Sequence, residues 1–254
     1  LVVLTLVGGC ECGSKRATEE SAALPEGFDE VMNDHAALSV AARNALIRGD
    51  LPVAQQAMRK LAFFMEHVPA PAQGKEYARI TKELAEQVRT SGDIEEASMS
   101  FARLSYACGE CHHALDRGPP MKLDPVPEGE DIQTHMRERM WEALLAHSTG
   151  AFQSAAEVLA EAPLHGSRDP DDESHDGVTK LAYEVHDLAF AAAVEGKAGE
   201  DEYVPKPGEA ADDEPSGWGQ AEVFGRILSA CNQCHAALQV EPALTQAERR
   251  NAEP

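Results

Sequence analysis

Apolar side chains recur three and four positions apart along most of this chain. From Phe28 onward Val31, Leu38, Ala42, Ala45 and Leu46 share one face, with His35 on the same stripe, the pattern of an amphipathic helix. The stretch "RGDLP" (48–52) interrupts it, offering Asp50 as an N-cap and Pro52 near the first turn of the next helix. Further helices are predicted over about 52–66, 75–90 and 94–116, separated by "PAPAQG" and "SGD". Helices joined by such short connections predict an antiparallel bundle over residues 28–116. Residues 117–130 lie in a stretch with four prolines and no helical period, a stiffened linker. The plan then repeats over 131–242, with helices predicted at about 131–147, 150–161, 177–195 and 219–238. A polar loop and a Gly/Pro-rich acidic loop (195–217) interrupt that half, and a tail covers 243–254. No strand alternation is present. The expected class is all-α: two tandem antiparallel four-helix bundles.

The repeat is sharpest in one phrase. "FARLSYACGECHHAL" (101–115) returns as "FGRILSACNQCHAAL" (224–238), late in the last predicted helix of each half. Phe101/Phe224, Arg103/Arg226, Ala107/Ala230, Cys108/Cys231, Cys111/Cys234, His112/His235, Ala114/Ala237 and Leu115/Leu238 are kept. The centre of the phrase is C-x-x-C-H, the attachment signature of c-type haem. Two thiols three positions apart on a helix reach the two vinyl groups on one porphyrin edge. The following residue then sets an imidazole under the iron. Cys108 and Cys111 would carry one haem with His112 on its iron, and Cys231 and Cys234 a second with His235. A zinc site needs its two Cys pairs roughly 15–20 residues apart rather than a domain apart. A disulfide across C-x-x-C inside a helix strains the backbone. No βαβ setting favours a thioredoxin-like motif. The cofactor expectation is two covalently attached haem c groups.

A four-helix bundle with C-x-x-C-H late in its fourth helix resembles the cytochrome c-prime superfamily. The resemblance covers residues 28–116 and 130–239, closely at the haem phrase and in helical layout elsewhere. It implies a haem clamped inside each bundle, a proximal His from helix four, and an Arg a few residues before the first Cys, as at Arg103 and Arg226. In that superfamily an open sixth position suits small gases, whereas a ligand from helix one makes a low-spin electron carrier. His35 is the first candidate here, with Met32 one turn before it as the alternative. In the second half His135 and Met136 both stand as candidates. Such proteins often pair, and two bundles in one chain could make that dimer internally. The first bundle is short for the family and the second carries the long acidic insertion.

Composition narrows the partners. Acidic residues outnumber basic ones 44 to 22, a formal charge of −22. A polyanion repels nucleic acid and anionic headgroups, which leaves redox partners with basic docking faces; a saline habitat would also produce such acidity. Residues 1–10, "LVVLTLVGGC", look like the end of a secretory signal followed by a lipobox, with Cys10 lipidated. Residues 11–27 then read as a tether. The expected location is the periplasm, lipid-anchored to the inner or outer membrane. The leading expectation is a di-haem electron carrier, not an enzyme, alone or as a subunit of a respiratory or photosynthetic complex. A gas-binding or gas-sensing haem protein is the alternative. A di-haem peroxidase is less favoured, because no distal acid–base pair is evident.

Overall fold

The computed structural model describes residues 28–67, 70–71, 74–116, 132–146, 149–166, 176–195 and 219–238. The expected anchor and tether (1–27), linker (117–130) and tail (243–254), and nearly all of the acidic loop (195–217), lie outside these residues. The described residues form eight α-helices and no strand: α1 Phe28–Arg48, α2 Leu51–His67, α3 Lys75–Thr90, α4 Ile94–Ala114, α5 Ile132–Leu145, α6 Thr149–Gly166, α7 Asp176–Glu195 and α8 Gly219–Leu238. The fold is all-α.

Local chemistry sets several of these boundaries. Gly49 follows α1 with φ +78°, a conformation that costs glycine least. Its N–H bonds the carbonyl of Leu46 at 3.1 Å, and the Asp50 N–H bonds that of Ala45 at 2.9 Å, the paired bonds of a Schellman stop. The Asp50 carboxylate then accepts from the Val53 N–H at 3.2 Å, capping α2. Asp93 caps α4 by accepting from the Glu96 N–H at 2.8 Å, while Glu96 reaches back to the Gly92 N–H at 2.7 Å. At the far end of α4, Asp116 takes φ +51°.

Two boundaries depart from the sequence pattern. α6 runs to Gly166, beyond the expected stop near residue 161, and so passes through Pro163. A proline near a helix end removes one backbone bond and already holds a helical φ, so a final turn survives it. α4 ends at Ala114, two residues early.

Within each half consecutive helices pack in order, α1 on α2, α2 on α3, α3 on α4, and likewise from α5 to α8. The halves meet along α4 and α8, with α1 also against α8 and α4 against α5. One hydrophobic cluster runs through both, from Leu46, Met58 and Phe101 to Met140, Phe152 and Phe224. Phe101 and Phe224, the matched aromatics of the repeated phrase, are fully buried. Burying each contributes roughly 1.5–3 kcal/mol.

Candidate functional site

The first C-x-x-C-H unit lies on α4, where one helical turn brings Cys108 and Cys111 to the same side. Cys108 is buried, and Cys111 and His112 are half-buried. α1 supplies a partner from 73 residues away: His35 Nε2 lies 3.4 Å from Cys108 Sγ. His35 is 7% exposed, whereas Met32, one turn before it, is half-exposed. Of the two helix-one candidates, His35 is therefore the one the fold brings to the motif. The Ser39 hydroxyl donates to the His35 carbonyl at 3.1 Å, an i−4 bond on the same face of α1.

Burial governs the electrostatics of this cluster. Burial, reinforced by the His112 charge, lowers the His35 pKa to about 4, so its ring is neutral at pH 7. Burial also lowers the His112 pKa. The Cys108 thiol is pushed up to about 12, chiefly by burial and then by Cys111, while a hydrogen bond from Thr81 pulls the other way. Burial raises Cys111 to about 11. Nδ1 of His35 and Nδ1 of His112 are both buried with no hydrogen-bond partner. A buried polar nitrogen without a partner costs about 1–3 kcal/mol.

Sequence reasoning did not pick out the contribution of α3. Thr81, buried, and Tyr77, one turn before it, flank the motif; burial, then Glu110 and Cys111, raises the Tyr77 pKa. The only hint in the sequence is a threonine set among Ala78, Leu84, Ala85 and Val88 on the buried stripe of α3.

The second unit lies on α8, with Cys231, Cys234 and His235 half-buried, and burial raises the Cys234 pKa. Its candidate sixth ligands, His135 and Met136, fall on α5, but their side chains lie outside the described residues. The matched arginines differ. Arg226 is exposed and pairs with Glu222 on its own helix, whereas Arg103 is half-buried.

Trp141 occupies the seam between the halves rather than either motif's interior. Its indole N–H donates to Ser105 Oγ at 3.2 Å, and Ser105 in turn donates to the Phe101 carbonyl at 2.9 Å. The Arg43 guanidinium lies 4.8 Å from the Trp141 ring centre and also donates to Asn44 Oδ1. Arg43 is 3% exposed, so this cation–π contact is desolvated and worth up to about 2 kcal/mol.

Among the described residues no group of three or more His, Cys, Asp or Glu side chains is arranged to hold a metal ion by itself. A porphyrin iron asks less of the protein, since the macrocycle fills four positions and the chain supplies at most two axial groups. The first half fits that demand: two thiols one turn apart, an adjacent imidazole with a buried free nitrogen, and a second buried imidazole facing them from α1. On α8, Cys231 and Cys234 lie one turn apart with His235 next in line, the same spacing as on α4.

Compared with known protein families, with curated proteins and with solved structures, the chain matches none. Among the described residues no helix is long and apolar enough to cross a membrane.

Proposed function

We propose that this protein is a di-haem c-type cytochrome of the c-prime kind, built as two tandem four-helix bundles, that carries electrons and catalyses no reaction on a substrate. One observation supports the reading above the others: His35 of α1 is buried against Cys108 of the motif through Nε2, while Nδ1 of His35 and Nδ1 of His112 lack partners. Separate chemistry on α1 and α4 thus converges where a covalently held, axially ligated haem would need it.

The assignments follow residue by residue. Cys108 and Cys111 would form the thioethers of the first haem, His112 would ligate its iron, and His35 would close the sixth position. Cys231 and Cys234, with His235, would do the same in the second half, with His135 or Met136 opposite. Bound haem supplies the one-electron couple. Phe101 and Leu104, buried on α4 ahead of the motif, would help keep water from the iron, burial keeps His35 neutral, and ligand identity and local dielectric would set the potential. The charge of −22 favours basic redox partners, met in the periplasm by a lipid-tethered chain or within a larger complex.

The test is production in a host competent in cytochrome maturation. The expected product carries two haems per chain by mass and a reduced-minus-oxidised spectrum of low-spin, six-coordinate c-type haem. A product at the mass of the bare polypeptide with no Soret band would overturn the proposal. Rapid carbon monoxide binding to both reduced haems would replace electron transfer with gas binding.

A further inference from the structure

α1 touches both motifs. Near its beginning, His35 Nε2 lies 3.4 Å from Cys108 Sγ. At its end, the Ile47 carbonyl accepts a hydrogen bond from Asn232 Nδ2 at 3.5 Å, and Asn232 stands between Cys231 and Cys234. The turn after α1 is shaped around that side chain, since a Cβ on Gly49 would come within 2.5 Å of Asn232 Nδ2. Ile47 follows His35 by twelve residues, about 18 Å along a helix rising about 1.5 Å per residue.

The crossing of α4 and α8 gives an independent bound. The two backbones approach at Gly225, where a Cβ would lie 3.0 Å from Met99 Cα and 3.3 Å from the Ser98 carbonyl. Each motif begins a short way beyond that point, about 14 Å along α4 to Cys108 and about 9 Å along α8 to Cys231. These two legs limit the separation along the helix axes to about 23 Å, which accommodates the length measured on α1.

We infer that α1 is a spacer shared by the two halves, contacting the two haem-attachment segments at points about 18 Å apart along its axis for electron exchange within one chain, with Asn232 as the positioning residue that keys the second segment to it. This rests on the di-haem reading above. With haem held by Cys108, Cys111 and His112 in one half and by Cys231, Cys234 and His235 in the other, the exchange would move one electron from a reduced haem to an oxidised one, with no bond formed or broken and no proton moved. Tunnelling rates fall steeply with distance, so a spacing fixed by one rigid helix gives a single rate, whereas two separately tethered bundles would give a spread. The first motif has Gly109 at the position of Asn232, so the keying contact belongs to the second motif alone.

The test uses the fully matured protein. Mass and absorbance count the haems, and pulsed dipolar EPR then measures the distance between the two ferric centres. The expected result is one narrow distribution on the order of 20 Å, together with exchange after rapid partial reduction whose rate does not depend on protein concentration. Asn232→Gly should lose the narrow peak and slow the exchange at unchanged haem content. Asn232→Gln, which keeps the amide donor, should retain the peak. Two haems with a broad distribution, or one centred well beyond the two-leg limit, would overturn the spacer while leaving the di-haem reading intact. An Asn232→Gly protein indistinguishable from wild type would overturn the keying role. Fewer than two haems would overturn the underlying reading and the spacer with it.

Discussion

Replacing Gly225 with alanine sets two known effects against each other in the middle of α8. In a helix interior, Gly→Ala normally gains about 1 kcal/mol, because alanine gives up less backbone freedom on folding. Here the new methyl would meet Met99 Sδ at 2.6 Å, Met99 Cα at 3.0 Å and the Ser98 carbonyl at 3.3 Å. The thioether can swing aside. The Cα and the carbonyl belong to α4, whose neighbouring Ala97, Phe101 and Ala102 are fully buried, so relief requires the two helices to part. Overpacking of this kind costs about 1–3 kcal/mol, which exceeds the propensity gain. The expected net loss is about 1 kcal/mol, or about 2–4 °C in Tm for a chain of this size. Gly150 provides the control: it is exposed in the first turn of α6, and a Cβ there meets nothing within 4 Å. Gly150→Ala should therefore keep Tm or raise it, by up to about 1 kcal/mol of stability. Thermal and urea unfolding of the two variants beside wild type, with Gly225→Leu as a larger step in the same direction, form the assay. A Gly225→Ala protein as stable as Gly150→Ala would refute the close approach of α4 and α8.

The remaining predictions concern His35, Trp141 and a helix cap. In the haem-free polypeptide, His35→Leu removes a buried imidazole with an unpartnered nitrogen and should stabilise the fold by about 1–3 kcal/mol in urea; in the matured protein the same change should convert the first haem to a high-spin, carbon monoxide-binding form, and loss of stability in the first or an unchanged spectrum in the second would contradict the geometry. His35 also fixes a pH dependence: its folded-state pKa of about 4 lies below the ordinary 6.5, so the unfolded chain takes up the proton first. Stability of the haem-free form should fall as pH drops from about 6.5 to about 4, by about 3 kcal/mol in all, and His35→Leu should flatten that slope. Trp141→Phe removes the hydrogen bond to Ser105 and weakens the contact with Arg43, and should cost about 1–2 kcal/mol by thermal unfolding. Asp93→Ala removes the cap of α4 and should cost about 1 kcal/mol.

Local features were legible in the sequence because the information that sets them is local. The 3.6-residue period located all eight described helices, "RGD" placed a cap at Asp50 that hydrogen-bonds as such residues do, and "SGD" marked the break before α4. His35 stood out as a polar residue on an apolar stripe, and the fold buries it beside the motif. The seam was not legible. Nothing in the order of residues says that Trp141 of α5 will meet Arg43 and Ser105, or that Asn232 will settle over the turn at Gly49, because each contact joins helices far apart in the chain. Thr81 was missed for a related reason, since one hydroxyl barely disturbs an apolar period. Pro163 misled the reading of α6 because a proline near a helix end stops it less firmly than one in the interior.

The two copies of the phrase gain meaning from where they disagree. Phe101/Phe224 and Ala107/Ala230 agree, and all four are buried in the core; the matched cysteines and histidines carry the same candidate chemistry on both helices. Three of the seven mismatches lie at the seam. Gly225 replaces Ala102 where α8 meets the backbone of α4, Asn232 replaces Gly109 where the second motif reaches the end of α1, and Ser105 stands where α8 has Leu228 and receives the Trp141 indole. A perfect repeat would put a methyl into Met99 at the first of these positions, lose the tie to Ile47 at the second, and leave the Trp141 N–H without its acceptor at the third. Agreement between the copies thus preserves what each half does alone, and divergence supplies the contacts by which the two halves fit each other.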